Sequence, residues 1–402
     1  MEGPVYIVSC PDYDHAHEKM EMLLSMMGGI DRFVKPGEKI VLKANLLQPA
    51  APEQAVTTHP MVVAAVARMV KGAGALPVIV DSPGAGYQYT SKTLNTLYRK
   101  TGMVDAARAA GAELNFDTTC RAVSFPRGKL IKHFEVINPV TTSDGVIGLC
   151  KLKTHTLMSF TGAVKNNFGV VPGLSKPGYH AKLRDKAQFA DMLLDLADYV
   201  SPRLSLMDAV IGMEGDGPGV AGSPRQVGLL LGSVNPLALD IVASEIIGLR
   251  REQNPLLLAA AKRGLTPSRM EEIEVVGAEL SKIRVPGYRL PGTVEELGIE
   301  KHLTWWQKPL GPWLKDWLSQ SPRVAPKKCI GCGICRDSCP ADAITIINGR
   351  RKAARIDDNQ CIRCYCCHEL CPEGAVELRR SLMHRLLGIG AGNRSHQEAV
   401  RE

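Results

Sequence analysis

Aromatic residues are scarce: they make up 5% of the 402 residues, and all four tryptophans fall at Trp305, Trp306, Trp313 and Trp317. No Arg-rich or aromatic-interleaved stretch occurs and the net charge of +8 is modest, so a nucleic-acid partner is not expected. No apolar run approaches about 18 residues, so no transmembrane helix is expected. The opening segment MEGPVYIVSCPDYDH has no basic region followed by a hydrophobic one, so no export signal is expected and the reading is a cytoplasmic protein. GPGVAG at Gly217–Gly222 has the G-x-G-x-x-G spacing but leads into the strand pattern QVGLLLGS rather than a helix, and no G-x-x-x-x-G-K-[ST] occurs, so neither a dinucleotide fingerprint nor a P-loop is supported. The C-x3-C-x2-C spacing of radical-SAM enzymes is also missing. A flavin site, which often has no motif, stays open.

What is present is a core-forming composition, 45% apolar and 22% charged, in a chain longer than one usual domain. Apolar runs PVYIVSC, KIVLKANL, LPVIVDSPG, DGVIGLC, LSLMDAVIG and QVGLLLGS read as strands, and helical periodicity separates most of them. Strand–helix alternation predicts an α/β fold, a largely parallel sheet with helices on both faces. In such folds ligands bind at the carboxyl ends of strands. Lys43 and Asn45, Asp81 and Ser82, then Asp208 and Glu214 fall at those ends. The expected division is an α/β domain over 1–280, a Trp/Pro-rich linker over 281–324, a small α+β domain over 325–380 and a tail over 381–402. The Trp305–Trp317 stretch, with its lysines and Pro309 and Pro312, reads as an interdomain linker, a partner dock or a membrane-surface contact.

Nine of the twelve cysteines lie between Cys329 and Cys371. Cys329, Cys332, Cys335 and Cys339 with Pro340 follow C-x2-C-x2-C-x3-C-P, and Cys361, Cys364, Cys367 and Cys371 with Pro372 repeat it. Without an export signal this clustering means metal ligation rather than disulfides. The doubled run is the spacing of ferredoxin-like domains with two [4Fe–4S] clusters, in which the fourth thiolate of each run reaches the other cluster. The expected sets are Cys329, Cys332, Cys335 and Cys371, and Cys361, Cys364, Cys367 and Cys339. Two zinc sites are the competing reading. Cys366 is surplus, a small residue packed beside a cluster.

The other concentration of chemistry is KLKTHTLMSFTGAVKNNFG, Lys151–Gly169, which reads as a strand end opening into a binding loop. Lys151, Lys153 and Lys165 are point-charge donors for an anion, and Asn166 and Asn167 add amide donors. His155 is the expected proton donor because its ordinary pKa lies nearest neutral. Lys43, Asn45, Glu214 and Asp216 are expected around the same ligand, with Asp208 a further acidic candidate. His180 reads as a lid or a plain loop residue, and Asp240 as serving a helix start.

Two blocks, KLKTHTLMSFTGAVKNNFGVVPG and MDAVIGMEGDGPGVAGSPRQVGLLLGSVNPLALD, together with KIVLKANL, TTHP and DSPG, resemble the domain of unknown function family 362. The resemblance covers roughly residues 3–250, and members of that family are often fused to a ferredoxin-type domain. It implies the domain plan and the location of the site, but no reaction.

The expected activity is an iron–sulfur oxidoreductase, a reductase passing electrons from the ferredoxin domain to an anionic small molecule in the α/β domain, with a soluble electron donor or acceptor protein as partner. An electron-transfer or adaptor protein and a non-redox enzyme with structural clusters are the alternatives. A cluster facing the pocket of the large domain separates the first from the others.

Overall fold

The computed structural model describes residues 3–294, 319–348 and 352–379. The tryptophan segment Trp305–Trp317 and the tail 381–402 lie outside these residues.

The large domain is built on one mixed sheet. Its strands are β1 Val5–Ser9, β2 Lys39–Lys43, β3 Leu76–Val80, β4 Glu113–Leu114, β7 Gly145–His155, β9 Leu204–Gly215, β10 Gly222–Ser233 and β11 Val275–Val276. Between β4 and β7 a separate hairpin pairs β5 Cys120–Ser124 with β6 His133–Ile137, and β8 Ser159–Phe160 folds back on the end of β7. The strand order is β11-β1-β10-β9-β7-β2-β3-β4. Every pairing along it is parallel except the two made by β10, which is antiparallel to β1 and to β9.

Alternation along the central strands builds two apolar layers. Ile40, Leu42, Ile147, Leu149 and Leu206 face the helices Ala16–Met26, Pro60–Gly72, Ser91–Lys100 and Met103–Ala110. Val41, Val146, Cys150 and Met207 face Lys186–Val200, Pro236–Ile246 and Pro255–Lys262. The helix starts are chemically marked: the side chains of Asp185, Asn235 and Asn254 each accept two backbone N–H groups of the helix that follows.

The C-terminal part pairs β12 Ser321–Val324 with β15 Val376–Arg379, and β13 Ile344–Ile347 with β14 Ala353–Ile356, both antiparallel. Each cysteine run enters a four-residue helix, Ile334–Asp337 and Cys366–Glu369. This is a small ferredoxin-like domain.

β7 differs from its sequence expectation. It does not open into a loop at Lys151 but runs on to His155 and turns back through β8. A register shift against β9 between Lys151 and Lys153 separates the two lysines. Lys151 is thereby drawn into a buried cluster with Asp208 and Tyr13. Its Nζ is fully buried 2.7 Å from Asp208 Oδ2 and 2.9 Å from the Tyr13 hydroxyl. Asp208 also accepts from the Tyr13 hydroxyl and from the backbone N–H groups of His59 and Val210. Removing one member of a buried ion pair strands the other charge. Lys151→Met is expected to cost about 3–5 kcal/mol in urea unfolding while iron content stays at the wild-type level. A loss below about 1 kcal/mol would show that Lys151 does not hold the sheet.

Candidate functional site

Beyond the carboxyl ends of β2, β3 and β7 lies a cavity with about 570 Å³ of empty space, partly open to solvent. Lys43, the last residue of β2, pairs through Nζ with Asp81 Oδ1 at 2.8 Å, just past β3. Asp81 also accepts the N–H groups of Leu46 at 2.5 Å and Ser82 at 2.8 Å, so the loops after β2 and β3 are tied by one carboxylate. Gly169 is necessary here, because a Cβ would lie 2.1 Å from Asp81 Oδ1 and 2.4 Å from Lys43 Nζ.

The turn after β7 brings up the rest. Lys153 donates to Asn45 Oδ1 and to the carbonyl of Val56, both at 2.7 Å. Asn45 and Lys43 reach Asn166 Oδ1, and Asn166 returns a bond to the Lys43 carbonyl. Lys165 and Asn166 lie on the short helix Gly162–Asn166, whose first N–H groups, from Ala163 and Val164, donate to the carboxylate of Asp240 at 2.5 and 3.0 Å. Asp240 thus serves this helix rather than the one it belongs to. Burial raises its pKa to about 7 against the opposing pull of these two N–H groups.

Lys176 and His180, one turn apart on the helix Lys176–Lys182, complete the large-domain wall. Lys176 donates to the carbonyls of Ser82 and Pro83 and to the Ser82 hydroxyl. The His180 ring stacks on Phe189 with centroids 4.5 Å apart. Its Nδ1 and the Thr161 hydroxyl are buried on the cavity wall without a hydrogen-bond partner. Orphaned buried polar atoms are rare in folded proteins and point to a missing ligand or water.

The last wall comes from the ferredoxin-like domain: Cys366, Glu369 and Leu370. The Glu369 carboxylate lies 3.2 Å from His155 Nε2, off the line of a good hydrogen bond. His155 Nδ1 accepts from the N–H groups of Leu157 and Met158, which leaves the proton of the neutral ring on Nε2, facing Glu369. His155 does not line the cavity. Burial, helped by Lys165, lowers its pKa to about 4, so it is neutral at pH 7 and not the free proton donor expected from sequence. The Glu369 carboxyl is held below its ordinary pKa: burial alone would raise it, but the His155 ring, whose Nε2 proton faces it, and the Lys165 charge outweigh burial.

Three other expected ligand residues serve elsewhere. Asn167 donates to the carbonyls of Ala163 and Val164, closing the short helix. Glu214 clasps Arg289 at 2.8 Å, and the Asp216 carboxylate accepts from Gly292 N–H, so both fasten the segment after Ile283. The Asp216 carbonyl also receives His368 Nε2, whose Nδ1 lies 2.6 Å from the Val376 carbonyl, and this joins the two domains. Sequence reasoning missed Lys176, Glu369 and the inward role of Cys366. No motif marks them: Lys176 lies on the helix that follows Lys151–Gly169, and Cys366 and Glu369 reach the cavity from the other domain.

The cysteines ring two further cavities. Cys329, Cys332, Cys335 and Cys371 line one, with Val324, Ile346 and Val376 among its apolar walls. Cys339, Cys361, Cys364 and Cys367 line the other, with Ile344, Ile356 and Tyr365. Backbone N–H groups of Ala354, Ala343 and Ala375 point at the sulfurs of Cys329, Cys339 and Cys371 at 3.2–3.4 Å. Four thiols around an apolar hollow, with N–H groups aimed at sulfur, fit an iron–sulfur cube. Cys366 lines both the second of these hollows and the lysine cavity.

Residues 40–245 match the family described as Domain of unknown function (DUF362), and residues 328–375 match a 4Fe-4S dicluster domain. The chain belongs to the DUF362 family. A relative is the thylakoid-associated protein sll1697 of Synechocystis sp., 34% identical over 259 residues, spanning 63% of this chain and 76% of that protein. Among solved structures, the lactate racemase apoprotein of Thermoanaerobacterium thermosaccharolyticum aligns with a TM-score of 0.39 at 12% identity. That alignment covers 62% of this chain and 58% of the other, a likeness too slight to carry an argument. In this DUF362 protein the lysine cavity lies wholly within the matched regions. No helix among the described residues is long and apolar enough to cross a membrane.

Lys153 and Lys176 meet only carbonyl, amide and hydroxyl oxygens, and burial lowers each pKa from 10.5 to about 7. In the unfolded chain each keeps its proton up to its ordinary value. Between pH 7 and that value the unfolded state binds more protons, so stability rises with pH, by about 1.4 kcal/mol per unit for each lysine. The ligand-free protein is expected to resist urea better at pH 9 than at pH 7, and Lys153→Met to flatten that slope. A falling slope, unchanged in the variant, would contradict the assignment.

Proposed function

We propose that the protein is an iron–sulfur oxidoreductase, a reductase whose anionic small-molecule substrate binds in the lysine cavity. The observation that carries this reading is Cys366, which lines both the lysine cavity and the hollow ringed by Cys339, Cys361, Cys364 and Cys367. In this reading two [4Fe–4S] clusters are held by the crossed cysteine sets and, when bound, supply electrons one at a time. The remaining work belongs to the chain's own residues. Lys43 and Asn45 anchor the floor, and Asn166 orients both. Lys165 stands opposite Glu369, where a cation stabilises charge building on a bound substrate. Lys153, with its pKa near 7, is suited to give up a proton at neutral pH. Leu370 and Pro218 close the cavity between the domains and limit water. The partner is a soluble single-electron donor, and the protein is placed in the cytoplasm.

Two outcomes follow. Cys366→Ser is expected to keep about eight iron atoms per chain, whereas Cys364→Ser loses a large share of them; equal losses would make Cys366 a ligand. Dithionite-reduced protein, mixed anaerobically with small carboxylates and phosphate esters bearing a reducible carbonyl or double bond, is expected to be reoxidised by at least one. Lys165→Met should slow that reoxidation about tenfold or more with iron retained. No acceptor in such a panel, or an unchanged rate in the variant, would count against the reductase.

A further inference from the structure

Four lysines line the cavity, Lys43, Lys153, Lys165 and Lys176, against two carboxylates, Asp81 and Glu369. Lys43 is matched by Asp81 at 2.8 Å, and Glu369 is the strongest attractive charge acting on Lys165, without an ion pair between them among the described residues. Lys153 and Lys176 form no ion pair among the described residues, feeling Asp81 and Glu369 only at longer range; their ammonium groups rest on neutral oxygens. Taking an ammonium out of water costs several kcal/mol even after relaxation, and matching negative charge is what offsets it. Thr161 and His180 add buried hydrogen-bonding atoms with no partner on the same wall.

Resting on the reading of this cavity as the substrate site, we infer that its ligand is a small molecule carrying two negative charges and at least one further oxygen. The two charges meet Lys153 and Lys176, and the Thr161 hydroxyl and the His180 ring reach the uncharged oxygen. A monoanion holds only one of the two lysines in its charged form and leaves the other to lose its proton, and a ligand without the extra oxygen leaves the two orphaned atoms unpaired. Two carboxylates or one phosphate ester satisfy the same demand.

Isothermal titration calorimetry on oxidised, cluster-loaded full-length protein at neutral pH tests this with malate, glycerol 3-phosphate and lactate as probes. Malate or glycerol 3-phosphate is expected to bind about tenfold or more tightly than lactate. The tighter of the two tells the dicarboxylate from the phosphate arrangement. In Lys153→Met and in Lys176→Met, checked for wild-type iron content and circular dichroism, that margin should largely vanish. Lactate binding as well as the dianions, binding of none of the three, or a margin unchanged in both variants would overturn the inference. The comparison among probes on the wild-type protein needs no variant. Because no reductant is present, its failure leaves electron delivery to the cavity standing, and a failed reoxidation leaves the charge assignment standing.

Discussion

A buried carboxylate from one domain faces a buried histidine and a buried lysine from the other, and most of the arrangement depends on that. Glu369 belongs to a four-residue helix that also carries Cys366 and Cys367, and Cys371 follows shortly after. The segment that supplies cysteines to the ferredoxin-like domain thereby inserts a negative charge between His155 and Lys165. An unpaired charge at such a depth is costly, so the carboxylate has a stable place only when the domains are docked. The His368 bridge between the Val376 and Asp216 carbonyls holds the same contact from its other side. Close approach is built into the backbone: a Cβ on Gly219 would lie 2.0 Å from the Glu369 carbonyl oxygen, and one on Gly84 2.5 Å from Leu370.

The sheet supplies the opposite wall with few parts. Parallel β2, β3 and β7 end at one edge, where Lys43, Asp81 and Lys153 come together. Hydrogen bonds through Asn45 and Asn166 fix the relative positions of these ends. Lys151, only two residues before Lys153, is committed to the Asp208–Tyr13 cluster instead. One strand thus contributes one lysine to stability and one to the cavity.

The α/β class and the ferredoxin-like domain were legible because both leave local signals: strand–helix alternation in one, doubled cysteine spacing in the other. Lys43, Asn45, Lys153, Lys165 and Asn166 were legible as cavity residues because they sit on or just past strand ends. Lys151 was misplaced because the stretch was read as a loop opening at Lys151, whereas β7 runs on to His155 and a register shift without sequence signature parts Lys151 from Lys153. His155 was misjudged as the proton donor since a histidine's ordinary pKa says nothing of its burial or of the two N–H groups that fix its tautomer. Lys176 and Glu369 were not legible at all. Their position depends on how a helix after β8 and a second domain dock, and that is decided by tertiary contact.

The central claim is that the lysine cavity and the neighbouring cysteine-ringed hollow form one functional unit. An electron paramagnetic resonance redox titration of the cluster-loaded protein, with and without a saturating anion in the cavity, tests it most directly. Negative charge placed beside the Cys366 wall should shift one midpoint potential and leave the other in place, since only one of the two hollows borders the cavity. Two potentials that both ignore the anion would contradict the account.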